Sequence, residues 1–191
     1  NEKGQLEDLP SKHVDTGAGF ERLVAILNGT ESNYETDLFI PIMNKIKEVT
    51  NKDITFNDGV PHQVIADHLR MLSFSIADGA LPSNEGRGYV LRRVLRRAAR
   101  YGRILGMESP FIFKLVDSLI EVMGEAYPEL KEKQSHIEKV IEAEESSFNE
   151  TLDRGLEIYA KLSSSLFKGD SIAGEDAFRL YDTFGFPLDL T

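Results

Sequence analysis

Residues 86–107 of the chain read GRGYVLRRVLRRAARYGRILGM, a basic segment in an otherwise acidic sequence. It holds seven arginines and no lysine, aspartate or glutamate. The whole chain of 191 residues has a net charge of −10, so the part outside this segment carries −17. Because a block of one charge sign concentrates electrostatic potential locally, the segment predicts a surface on which a polyanion docks.

The arginines of this segment fall on one side of a helix predicted over about residues 89–101. At ~100° per residue, apolar side chains gather on the opposite, buried side. The stripe consists of Arg92, Arg96, Arg100 and Arg103, with Arg93 and Arg97 beside it. Planar guanidinium groups suit phosphates and base edges. The alternative is a solvated face whose arginines pair with acidic helices of the same protein.

The rest of the chain shows the same helical spacing of apolar residues. Helices are predicted over 20–27, 36–51 with Thr36 as the cap, 61–77, 110–123, 129–166 and 175–184. Residues 61–77 are apolar on most sides, which predicts a buried central helix, and Gly155 is a candidate kink. A short strand is expected only near Val14. The predicted fold is therefore mainly α.

Composition narrows the classes of function. A hydrophobic fraction of 41% is ample for a packed core, and no run approaches the ~18 apolar residues of a membrane span. Zero cysteines exclude disulfides, thiolate metal ligands and cysteine nucleophiles. The four histidines lack chelating spacing, since His62 and His68 are six apart. The cluster Glu142, Glu144 and Glu145 is interpreted as a solvated helix face.

Residues 14–23, VDTGAGFERL, place two glycines where an extended segment meets a helix. Glycines let a ligand approach the backbone, and free N–H groups at a helix start favour anions. Arg22, one turn into the helix, is suited to a phosphate, and Asp15 offers a carboxylate to an ammonium group. Taken alone, the pattern is more typical of a plain turn before a helix.

The longer string from Val14 to Arg22 resembles motif 3 of class II aminoacyl-tRNA synthetases, in the form found in alanyl-tRNA synthetases. The resemblance implies that Asp15 and Gly17 bind alanine and that Arg22 and Gly19 bind ATP. The class II motifs 1 and 2 are not found in this sequence. The chain therefore looks like a fragment, which we expect to be inactive on its own.

Three further blocks are similar to the helical tRNA-recognition domain of that family: residues 67–70, 76–93 and 178–191. In the family an Asn and an Asp read the G·U pair of the tRNA acceptor stem, and the matching positions are Asn84 and Asp182. The guanine amino group of a G·U pair is unpaired in the accessible minor groove of RNA. Without the resemblance, Asn84 is a helix cap and Asp182 a structural carboxylate. The tRNA contacts expected from the basic segment are Arg87, Arg92, Arg93, Arg96 and Arg100.

The resemblance also implies the domain organisation and the partners. Residues 1–32 would end a class II catalytic domain as a strand and helix, and residues 33–191 would form the tRNA-recognition domain. The expected parent is a cytoplasmic enzyme that ligates alanine to tRNA(Ala) using ATP with Mg²⁺, and that binds no DNA or membrane. Zinc is expected only in an editing domain beyond Thr191. Two alternatives are an RNA-binding helical module without catalytic activity and a helical protein-interaction domain.

Overall fold

A computed structural model describes Ser11, residues 17–164 and residues 170–184. The described residues form helices and connecting loops, and none of them lies in a strand. The helices are α1 (Phe20–Asn28), α2 (Ile40–Thr50), α3 (Val60–Ala77), α4 (Gly86–Ile104), α5 (Val116–Met123), α6 (Pro128–Glu132), α7 (Gln134–Ser163) and α8 (Gly174–Phe184). Short 3-10 turns at Asn33–Glu35, Phe56–Gly59 and Ile112–Leu115 connect some of them. The predicted mainly α class is confirmed.

Helix α3 is the centre of the molecule. It begins after Gly59, whose φ of 75° is in the left-handed region, and Pro61 occupies its first turn. Its buried residues occur on most of its sides and include Ile65, Leu69 and Ile76, each with no exposed area. Helices α2, α4, α5, α6 and α7 all pack against it. The sequence prediction of a buried central helix is therefore confirmed.

Helix α7 is the longest element, with 30 residues. The pattern predicted over residues 129–166 divides into the short α6 and this long helix. Gly155 is buried inside α7, which runs through it without interruption. Ile137, Ile141, Phe148 and Leu152 form the buried seam that packs α7 onto its neighbours.

Helix α2 starts four residues later than the predicted cap at Thr36. The Thr36 hydroxyl instead donates to the carbonyl of Asn33 at 2.6 Å and closes the preceding 3-10 turn. Thr36 is buried in that turn, with 1% of its surface exposed. The prediction of Thr36 as the cap of this helix is wrong, because Thr36 ends the preceding 3-10 turn and α2 begins only after Phe39.

Helix α1 lies apart from the main core. It buries only Ala25 and exposes the apolar side chains of Phe20, Leu23, Ile26 and Leu27. The main buried cluster begins at Phe39 and continues through α8. The strand predicted near Val14 lies outside the described residues. Across the described part of the chain, no helix has the length and apolar character needed to cross a membrane.

Candidate functional site

The glycine segment leads into an open helix start. Gly17 and Gly19 are exposed, and Gly19 precedes α1 in an extended conformation with no side chain capping the helix. A Cβ on Gly19 would lie 3.4 Å from Cδ of Arg22, so the exposed Arg22 side chain runs back along the glycine backbone. Uncapped N–H groups beside a guanidinium are suited to an anion. Asp15 lies outside the described residues.

An ion pair connects this helix to the central one. Nη2 of Arg70, in α3, donates to Oε1 of Glu21, in α1, at 2.6 Å. The hydrogen bond from Arg70 holds the pKa of Glu21 below its usual value. The Arg70 guanidinium also lies 4.7 Å from the centre of the Phe39 ring. Glu21 is therefore held immediately beside Arg22 by a residue 49 positions away.

A cavity of about 380 Å³ opens around this ion pair. Its walls come from α1, the 3-10 turn at Asn33–Glu35, Phe39 just before α2, and α3. The lining residues are Glu21, Asn33, Tyr34, Phe39, Asp67, Arg70, Met71 and Phe74. The cavity thus lies between α1 and the main core, beside the Glu21–Arg70 ion pair that connects the two.

Asn84 lies in a loop that is fastened to the start of α4. The backbone N–H of Ser83 donates to the carbonyl of Gly88 at 3.0 Å, and the Ser83 hydroxyl donates to the carbonyl of Glu85 at 2.9 Å. A Cβ on Gly88 would overlap Ser83 and the carbonyl of Leu81, so only glycine allows this approach. The loop exposes Asn84 to solvent.

Arg92 contacts the Asn84 side chain directly. Its Nη1 donates to Oδ1 of Asn84. The opposite edge of the same guanidinium faces Glu144 of α7, with Nε 3.0 Å from Oε1 and Nη2 3.1 Å from Oε2. Nε of Arg96 also donates to Oε1 of Glu144 at 3.3 Å, and its guanidinium lies over the Phe148 ring. Asn84, Arg92 and Arg96 are thus joined in one network.

The remaining arginines of α4 differ in exposure, and Arg100 is half-buried. Arg103 pairs with Asp153 of α7 at 2.5 Å, so it is already neutralised within the protein. Arg87, Arg93 and Arg97 are exposed, and Arg93 lies 5.9 Å from the centre of the Tyr89 ring. Pairing with an acidic helix, the alternative weighed for the whole stripe, therefore applies to Arg92, Arg96 and Arg103. The flanking arginines remain the accessible cations.

The glutamate cluster of α7 is not a solvated face, so that interpretation was wrong for two of its members. The Glu144 side chain is 10% exposed, and Glu145 is 1% exposed. Oε2 of Glu145 accepts hydrogen bonds from the backbone N–H groups of Phe111 and Ile112 at 3.1 and 3.0 Å. Burial raises the pKa of Glu145 to about 7. Only Glu142 is exposed as predicted.

The buried position of Glu145 is readable in the sequence. The apolar seam of α7 places residues at Ile141, Phe148 and Leu152, and Glu145 falls between the first two at the same helical spacing. A glutamate in such a seam is a sign of a satisfied buried carboxylate. The pairing of Glu144 with α4 has no equivalent local signal, since its partners are about 50 residues away.

Asp182 lies in α8 with its side chain exposed. Helix α8 packs on α7 and buries Leu180 there. Helix α4 packs on α7 as well. The same long helix therefore supports the two elements that carry the predicted RNA-reading residues.

Of the three histidines in the described ranges, His62 and His68 are withdrawn from solvent and His136 is exposed. His62 has no exposed area, and its Nε2 donates to the carbonyl of Lys52 at 3.2 Å. Burial lowers the pKa of both His62 and His68. Within residues 17–164 and 170–184, no three His, Asp or Glu side chains form a group suited to a metal ion.

The chain is similar to known proteins along nearly its whole length. The family described as "tRNA synthetases class II (A)" matches residues 1–191. Alanine–tRNA ligases of Chlorobium phaeobacteroides and Streptococcus mutans are 52% and 50% identical to the chain, over 98% and 99% of its residues. That of Ruegeria sp. is 54% identical over 98%. The chain spans 21–22% of the length of these relatives.

Proposed function

The chain belongs to the class II tRNA synthetase (A) family, and from this we propose that its full-length protein ligates alanine to tRNA(Ala) at the expense of ATP. The observation that carries the proposal is similarity of about 50% identity along the entire chain to alanine–tRNA ligases. The segment itself would supply motif 3 and the acceptor-stem contacts. Such an enzyme works in the cytoplasm, where tRNA is charged.

Residues 1–32 form the end of the catalytic domain in this proposal. The exposed apolar side chains of α1, among them Phe20 and Ile26, would pack against the rest of that domain. Arg22 and Gly19 would contact the ATP phosphates at the uncapped start of α1. Asp15 and Gly17 would bind the amino group and backbone of alanine. The Mg²⁺ that accompanies ATP would be held by phosphate oxygens, water and one or two carboxylates.

In the proposed two-step reaction, this site contributes substrate binding and neutralisation of charge. Attack of the alanine carboxylate on the α-phosphate gives alanyl-adenylate and pyrophosphate, and a terminal ribose hydroxyl of tRNA then takes the alanyl group and releases AMP. Arg22 would neutralise phosphate charge in the first step, and the glycine backbone would permit close approach of the substrate. Zinc would belong to an editing domain outside this sequence.

Residues 33–191 form the tRNA-recognition domain in this proposal. Asn84 and Asp182 would read the G·U pair of the acceptor stem through acceptor oxygens facing the guanine amino group. Arg87 and Arg93, both exposed, would hold phosphates, and Arg100 would lie beside them on α4, whereas Arg92 and Arg96, which pair with Glu144, would support the Asn84 loop. Phosphate contacts would position the stem, and the amide and carboxylate would select it.

Selectivity of the full-length enzyme for its tRNA tests this function. We expect Asn84→Ala and Asp182→Ala each to lower aminoacylation of a tRNA with the G·U pair, relative to a G·C variant, by roughly 1–3 kcal/mol. Alanine-dependent pyrophosphate exchange should stay intact. Equal losses on both tRNAs would reduce the two residues to structural roles. Absence of any alanine activation by the parent would favour an RNA-binding module without catalysis.

A further inference from the structure

Glu144 has a place in the network around Asn84 that an exposed glutamate would not have. Its side chain is 10% exposed and lies between the guanidinium groups of Arg92 and Arg96. Both arginines belong to α4, whereas Glu144 belongs to α7. A carboxylate withdrawn from water in this way requires charged partners to offset its lost hydration. Glu144 therefore fixes two arginines of α4 at once.

The contact with Arg92 combines a hydrogen bond and an ion pair. Nη2 donates to Oε2 at 3.1 Å, and Nε, which makes no hydrogen bond, lies 3.0 Å from Oε1. Together these contacts hold one edge of the planar guanidinium against the carboxylate. Because the guanidinium is rigid, fixing one edge also fixes the direction of the remaining nitrogen, Nη1. That nitrogen donates to Asn84.

The orientation of the Asn84 amide follows from this geometry. Arginine carries only donors, so the amide oxygen and not the amide nitrogen must face Arg92. The oxygen has a second lone pair, which stays available to a donor on a ligand. Without Arg92 in this position, the exposed amide would be free to turn over and present its NH₂ group. A donor in that place cannot accept from a guanine amino group.

We propose that Glu144 is a positioning residue for RNA selection, which acts through Arg92 to present the Asn84 oxygen. The inference rests on the proposed role of Asn84 and adds a third residue, on a different helix, to the selection of the acceptor stem. Glu144 does not need to touch the RNA. Its effect depends on the chain of contacts from carboxylate to guanidinium to amide.

The substitution Glu144→Gln tests the proposal with the smallest change of shape. Glutamine replaces one carboxylate oxygen by an NH₂ group, which opposes the Arg92 donors and removes the paired contact. We expect the ratio of kcat/KM for G·U over G·C tRNA in the full-length enzyme to fall about fivefold, within the usual range for one coupled network. Arg92→Lys, which keeps the charge without the fork, should lower the same ratio. Pyrophosphate exchange should not change.

Asp153→Asn is the matched control. It disrupts the same kind of ion pair between α7 and α4, with Arg103, but that pair has no contact with Asn84 in the structure. We expect the selectivity ratio to stay unchanged in this variant. The ratio compares two tRNAs on the same enzyme preparation, so partial unfolding of any variant cancels.

A double-mutant cycle separates this inference from the role of Asn84 itself. In an Asn84→Ala background, Glu144→Gln should have no further effect on the ratio. If Asn84→Ala lowers the ratio but Glu144→Gln leaves it unchanged, or acts undiminished in the Asn84→Ala background, the relay is overturned and Asn84 keeps its role. If Asn84→Ala has no effect on the ratio, both proposals fail.

Discussion

At the scale of the residue, Glu144 and Glu145 are adjacent in the sequence but have different surroundings. Glu144 faces the arginines of α4, whereas Glu145 accepts from the backbone N–H groups of Phe111 and Ile112. Successive side chains on a helix point ~100° apart, so neighbours contact different elements. One carboxylate is thereby placed in the candidate RNA surface and the other in the core.

The titration of Glu145 predicts a pH-dependent stability. Its pKa is about 7 in the folded protein, against 4.5 ordinarily, because burial disfavours the charged form. Between these values the folded state holds more protons than the unfolded state, so the free energy of unfolding falls as pH rises from about 4.5 to 7. The Glu145→Gln variant lacks this titration, so its free energy of unfolding should not fall in this way. Relative to the natural chain, its free energy of unfolding should rise by about 2 kcal/mol between pH 5 and pH 8.

Urea unfolding at the two pH values measures this difference. The control is Glu150→Gln, because Glu150 is exposed on the same helix and should give the same difference at both pH values. A Glu145→Gln curve that tracks the natural chain at every pH would contradict the prediction.

Arg22→Ala should impair formation of the adenylate in the full-length enzyme. The exposed guanidinium beside the uncapped start of α1 is placed to neutralise phosphate charge, and its loss should slow pyrophosphate exchange by at least about tenfold. Binding of tRNA should be unaffected. Arg154→Ala, at an exposed arginine of α7, serves as the control. A normal exchange rate in Arg22→Ala would remove this residue from the ATP site.

At the scale of the element, α4 makes two close approaches through glycines. Gly88 lies against Ser83 and Leu81 in the Asn84 loop, and Gly102 lies against the Phe111 ring. Both glycines are buried. The helix start therefore holds the candidate reading loop, while the helix end contacts the core.

Alanine at these two positions should separate folding from selection. Gly88→Ala and Gly102→Ala each introduce a methyl group without space, which should cost roughly 1–3 kcal/mol of stability. Only Gly88→Ala should also lower the preference for G·U over G·C tRNA, because it displaces the loop that carries Asn84. Thermal unfolding and aminoacylation of the two tRNAs give the comparison. An equal loss of preference in Gly102→Ala would show that the preference reports general damage to α4.

At the scale of the whole molecule, the charge distribution decides where a polyanion is able to dock. The chain has a net charge of −10, and carboxylates of α7 take up Arg92, Arg96 and Arg103. Exposed arginines such as Arg87 and Arg93 remain at the surface of α4. The exposed positive surface is therefore narrower than the arginine stripe predicted from the sequence. It lies to one side of that stripe, around Arg87 and Arg93.

Salt dependence of tRNA binding tests this division. Arg93→Ala should flatten the slope of log K against log salt concentration by roughly 0.7 to 0.9, as expected for one lost phosphate contact. Arg103→Ala should leave the slope nearly unchanged, because Asp153 already neutralises Arg103. Fluorescence titration of a labelled tRNA at several salt concentrations gives both slopes. Identical slopes for the two variants would mean that ion pairing within the protein does not decide which arginines contact RNA.

The sequence by itself determined the mainly α class, the buried α3 and the basic character of α4. These properties depend on local spacing: apolar residues every three to four positions define a buried face wherever the helix goes. Local spacing does not, however, determine where each helix begins and ends. Helix α2, for example, begins at Ile40 and not directly after Thr36, because residues 33–35 form a separate 3-10 turn that ends at Thr36.

Only the tertiary structure decided which charges remain available and which residues act together. Glu144 meets Arg92 across 52 positions, and Glu21 meets Arg70 across 49. Such contacts depend on how helices cross, and crossing is set by the packing of the whole core. For this reason the helical phase of α4 predicted a uniform arginine stripe, whereas the folded molecule divides it into paired and exposed cations. The link from Glu144 through Arg92 to Asn84 exists only once α4 lies on α7.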